Sequence, residues 1–122
     1  MRSTSGYAET MGRLIEAITS RSLIAFGRID HAAGASEAGL ELGPEEVVLF
    51  GDPRAGTPLM QSDPRIGIEL PLRMLVWEEG EGVLLGYNDP RELAGRYDVE
   101  VHHATLDTMS GLLAALAADA AG

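Results

Sequence analysis

Seven polar residues of types that do chemistry fall where apolar runs break: Asp30, His31, Asp52, Thr57, Gln61, Tyr87 and Asn88. Asp30-His31 closes the run LIAFGRID (23–30) and leads into small residues. A histidine beside a carboxylate can ligate a metal, or move a proton once the carboxylate orients its ring. The plainer role is a hydrogen bond to a loop carbonyl that fixes the small-residue segment. Asp52 follows VVLFG (47–51), Thr57 and Gln61 lie in the stretch after it, and Tyr87-Asn88 ends VLLGY (83–87). Strand ends that run into helix starts are where α/β-type domains place ligands, so these residues are expected to line one pocket.

Other patterns carry less. Adjacent residues of a strand point to opposite faces, so His102-His103 cannot grip one ion there, and no third spaced ligand accompanies them. Gly51, Gly56 and Thr57 imitate part of a phosphate-cradling loop. The lysine that should precede the threonine is missing, and Pro53 removes a backbone donor. No Gly-x-Ser-x-Gly elbow frames a nucleophilic serine.

The formal charge is −10 over 122 residues. A surface that acidic repels phosphate backbones and anionic lipid, which argues against nucleic-acid and membrane-surface partners. With no cysteine there are no disulfides, thiolate metal sites or Cys nucleophile, and the composition fits a reducing compartment. The N-terminus has no apolar leader, and no run reaches the roughly 18 apolar residues of a membrane span. A cytoplasmic protein of one domain, 1–122, is expected, with a core built from Leu, Ile, Val, Met and Ala because only six residues are aromatic.

The elements that must position the seven residues follow from periodicity. Tyr7, Met11, Leu14, Ile15 and Ile18 recur at helical spacing, which predicts an amphipathic helix over 8–20 capped by Ser5 or Gly6. Residues 23–30 suit a strand covered on one face and shielded on the other. The small residues 31–39 suit a short helix or wrapped loop close to other backbone. Residues 71–78 and 83–87, joined through Gly80 and Gly82, read as an antiparallel hairpin. Val99 and Val101 suit an edge strand, and Leu106, Met109, Leu113 and Leu116 mark a closing helix over about 105–121. Asp-Pro-Arg occurs at 52–54, 63–65 and 89–91. Asp caps orphan helix N–H groups and Pro suits the first helical position, so these are three helical starts rather than copies of a repeat.

FGDPRAGTPLMQSDP (50–64), RIDHAAGASEAGLEL (28–42), LPLRMLVWE (70–78) and YNDPRELAGRY (87–97) together resemble the domain of unknown function 302 family, over a core of about 8–97. The resemblance implies an α+β, two-layer fold, with a small, mostly antiparallel sheet and helices on one face, commonly a homodimer, with no established activity or cofactor. Relatives usually read Phe-Gly-Asn-Pro where this chain has Asp52, and an ionised Asp only accepts hydrogen bonds. The family's N-terminal strand is short or absent in residues 1–6, which leaves a sheet edge bare or for a partner to supply. The expected function is a homodimeric module binding a small molecule or metal ion at the seven residues. The alternatives are an enzyme with His31 as general base, oriented by Asp30 or Asp52, and a purely structural or interaction protein.

Overall fold

The computed structural model describes residues 1–122. Its elements run α1 (Tyr7–Ser20), β1 (Ile24–Asp30), α2 (His31–Glu37), β2 (Glu45–Gly51), α3 (Pro53–Ser62), β3 (Leu72–Glu79), β4 (Gly82–Gly86) and α4 (His103–Ala121). Three 3₁₀ segments, Pro64–Glu69, Pro90–Gly95 and Glu100–His102, join them. The sheet has four strands in the order β1-β2-β3-β4, every pair antiparallel. The fold is α+β. No helix is long and apolar enough to cross a membrane.

Strand alternation divides the sheet into two faces. Val48, Phe50, Leu72, Met74, Val76, Val83 and Leu85 are buried and join Met11, Leu14 and Ile18 of α1 and Leu106, Met109, Leu113 and Leu116 of α4 in one apolar cluster. The alternate residues Val47, Leu49, Leu75 and Trp77 remain partly open. Helices therefore cover one face only.

The three Asp-Pro-Arg sequences start α3, Pro64–Glu69 and Pro90–Gly95. In each the Asp side chain accepts the N–H of the Arg two residues on, Pro occupies the first turn, and the Arg guanidinium returns to the same carboxylate. The hairpin between β3 and β4 turns on Gly80-Glu81, with Glu79 paired to Gly82 and Gly80 at φ +62°. Positive φ at the first central residue alone marks a type II′ turn, which suits the twist of the strands.

Three expectations need correction. β1 is an edge strand with neither face shielded: Ile24, Phe26 and Ile29 are each about half exposed. α2 forms as the short helix expected, beside the backbone of β2, and buries no residue. Val99 and Val101 are not a strand: the chain turns in a 3₁₀ segment that buries Val99 and leaves Val101 in solvent. The far sheet edge is not bare either. Ser3 N–H donates to the Val83 carbonyl and Leu85 N–H to the Met1 carbonyl, and Arg2 bridges Leu84, so residues 1–3 pair with β4. Backbone pairing needs no apolar alternation, which is why that pattern missed it.

Candidate functional site

Strand register decides which polar residues meet. Asp30 pairs with Glu46 at the start of β2, whereas Asp52 follows Gly51 at its end, opposite Ile24. Six residues at about 3.4 Å each separate the two ends by about 20 Å. Asp30 and His31 therefore share no cleft with Asp52, and the single pocket expected from sequence is not formed. Asp30 caps α2 by accepting the Ala33 N–H at 2.9 Å, and His31 is exposed on the first turn. An Asp52-oriented His31 is geometrically excluded.

At the Asp52 end the residues do converge. A cavity of about 400 Å³ lies where β2 runs into α3. Asp52 and Thr57 line it, together with Leu23, Phe26, Leu49, Leu70, Met109 and Leu112. The register of β1 against β2 slips between Ala25 and Gly27, which makes Phe26 the extra residue of a bulge. Bulges re-aim side chains. Here the Phe26 ring lies 3.8 Å from where a Cβ on Gly51 would stand. Cβ atoms on two other lining glycines would also meet the walls, Leu70 at 3.5 Å from Gly56 and Met60 Sδ at 3.4 Å from Gly67. The peptide joining Leu70 to Pro71 in the same wall is cis.

The polar rim is already engaged. Asp52 accepts the Arg54 N–H at 3.0 Å and both Arg54 Nε and Nη2, and these bonds hold its carboxyl below the usual carboxylate range. The Ala55 and Gly56 N–H groups donate to the Asp52 carbonyl, and Pro53 has none. The start of α3 therefore keeps no free donor for an anion.

The remaining predicted residues lie apart. Asn88 continues β4 towards the same end of the sheet and lines a neighbouring cleft of about 90 Å³ with Glu69, Arg73 and Arg96. Gln61, on the last turn of α3, is exposed and Tyr87 partly so; neither lines the main cavity. His102 Nε2 lies 2.9 Å from Ser62 Oγ, and nowhere do three His, Asp or Glu side chains gather around one point that an ion could occupy. Sequence reasoning missed the cavity's apolar walls. Leu23, Leu70 and Met109 are ordinary core residues by pattern, and only the nearby glycines 51, 56 and 67 hinted at open space.

A second polar cluster sits under the N-terminus of α1. Glu46, 7% exposed on the covered face of β2, is ion-paired with Arg28 of β1. Burial, followed by the nearby Glu46 and Asp30 carboxylates, pushes the Tyr7 phenol up to about 12. A phenol so held is neither an acid nor a nucleophile near neutral pH.

A family model described as "Domain of unknown function DUF302" matches residues 1–116. The chain belongs to the DUF302 family. The crystal structure of an uncharacterized conserved DUF302 protein from Bacillus stearothermophilus superposes with a TM-score of 0.88, covering 100% of this chain and 95% of that one. At 20% identity that likeness speaks for the DUF302 fold alone. Among curated relatives, "Fluoride-specific ion channel FluC 1" of Brucella suis biovar 1 (strain 1330) is 46% identical over 100 residues, spanning 81% of this chain and 39% of the relative. The protein of that name from Brucella abortus biovar 1 (strain 9-941) gives 46% over 100 residues and 37% of its length. The chain thus spans about two fifths of the length of these relatives.

Proposed function

We propose that this DUF302 chain is a non-catalytic small-molecule-binding module, with its site in the cavity where β2 runs into α3. The observation that carries this reading is an open space of about 400 Å³ with Asp52 and Thr57 at its edge. That volume lies in the range of ligand pockets, and a cavity with a few polar groups at a sheet end is the usual form of such a site. His31 contributes nothing to it, and the carboxylate beside His31 is committed to capping α2. The test is a thermal-shift screen of the purified chain against metabolites, repeated on Gly56→Leu. Ligands that raise Tm in the parent but not in the variant support the reading. A parent that no small molecule stabilises refutes it.

Channel activity is not proposed for this chain. Conduction needs membrane-spanning structure. The shared stretch is a minor part of the channel-named relatives, and no helix here could cross a bilayer. A homodimer through β1 is the companion proposal, favoured by the half-exposed Ile24, Phe26 and Ile29 on a strand with one unpaired edge. Ile29→Lys is expected to halve the mass measured by light scattering, and a parent that is monomeric at all concentrations removes the idea.

A further inference from the structure

The cavity at the β2–α3 junction also constrains the chemistry of its occupant, an inference that rests on the binding role proposed above. Of its lining residues only Asp52 is ionisable. That carboxylate accepts from the Arg54 guanidinium at both oxygens, Nε to Oδ1 at 3.1 Å and Nη2 to Oδ2 at 3.0 Å, and it also accepts the Arg54 N–H. The pair is internally neutral. A cation would have to compete with a bidentate guanidinium for Asp52. An anion would find the amides of the first turn of α3 either absent or already donating. Exposed Thr57 supplies a hydroxyl at the rim, and the walls offer hydrocarbon, thioether and one aromatic ring: Leu23, Phe26, Leu49, Leu70, Met109 and Leu112.

Burying a charge in such surroundings is costly unless it is paired, whereas apolar surface gains by leaving water. We infer that the module takes an uncharged, largely apolar small molecule, with a hydroxyl or carbonyl directed at Thr57. Size points the same way. A dry cavity of about 150 Å³ holds one benzene ring, so the space here suits a ligand of roughly two to three such volumes. A fused ring system or a medium-length alkyl chain meets that description. Gly56 adds to the case, because it lies inside a helix where alanine would be the better former. It leaves open a volume that a side chain would fill against Leu70.

The experiment uses the full chain and a neutral fluorescent probe, N-phenylnaphthylamine, displaced by a matched pair, decanol and decanoate, at neutral pH. The probe is expected to bind with one site per chain. Decanol should displace it at a concentration at least about tenfold below that needed with decanoate, and sodium fluoride, phosphate and zinc should leave it in place. Gly56→Leu should abolish probe binding. If that variant does not fold, Gly56→Ala, whose methyl meets Leu70 at ordinary contact distance, should weaken the probe about three- to tenfold with an unchanged circular dichroism spectrum. Val101→Ser, at an exposed position that does not line the cavity, should bind the probe normally. A parent that does not bind the probe, or that binds it equally well after both Gly56 changes, overturns the cavity as a site. Binding that Gly56 controls, with decanoate as effective as decanol, leaves the site standing and overturns the uncharged ligand. Probe binding that falls as protein concentration rises would give the cavity to a second copy of the chain instead.

Discussion

Replacing Gly56 with alanine should make the protein more stable, a result that tests the description of the cavity independently of any ligand. Gly56 lies inside α3, is buried, and is not among the glycines with positive φ. An alanine there is conformationally free to follow the helix, which favours it by about 1 kcal/mol. Its Cβ would stand 3.5 Å from Leu70 Cδ1, an ordinary contact, with nothing else within 4 Å. Burying that methyl against Leu70 adds at most about 0.8 kcal/mol. The expected gain is therefore about 1–2 kcal/mol. For a chain of this length each kcal/mol moves Tm by about 3–6 °C. Thermal unfolding followed by circular dichroism should show Tm rising by at least about 3 °C, with a matching rise in the urea midpoint. A lower Tm would mean that the space beside Gly56 is not open, and both the pocket and the inference drawn from it would go. Natural sites that keep a destabilising residue often trade stability for function, so the same substitution should weaken the probe while it strengthens the fold.

Three further outcomes follow from the structure. Hydrogen bonds from the Arg91 side chain, then from its backbone N–H, lower the Asp89 carboxyl from 3.8 to about 2, and Arg65 followed by the Asp98 N–H holds Asp63 lower still. The unfolded chain binds more protons than the folded one in that window. Stability should therefore be full above about pH 4 and fall towards pH 2, more shallowly in Asp89→Asn, as read from urea midpoints across that range. At the alkaline end the sign reverses. Tyr7 keeps its proton to about 12 when folded against 10.0 in the free side chain, so stability should be full below pH 10 and decline up to about pH 12. Tyr7→Phe should remove much of that decline, and an unchanged slope would deny the burial of the phenol beside Glu46. Gly80 holds φ +62° at the hairpin turn, so Gly80→Val should cost about 1–2 kcal/mol by chemical denaturation. A neutral result would mean that the turn adopts another type.

Local chemistry was legible in the sequence, and long-range geometry was not. Tyr7, Met11, Leu14 and Ile18 announced α1, and each Asp-Pro-Arg announced a helical start, because capping and periodicity act within a few residues. Gly80 announced the hairpin for the same reason, and motif resemblance supplied the α+β class. None of these signals reports how one strand slides past another. The antiparallel register of β1 on β2 carries Asp30 and His31 to one end of the sheet and Asp52 to the other, although in sequence both follow an apolar run and look alike. Only tertiary packing could decide that Leu23, Leu70 and Met109, each indistinguishable from core by pattern, would wall a space instead of closing it. The chain thus specified by itself which residues turn, cap and bury. Which of them face one another depended on contacts between segments far apart in sequence, where no local preference acts.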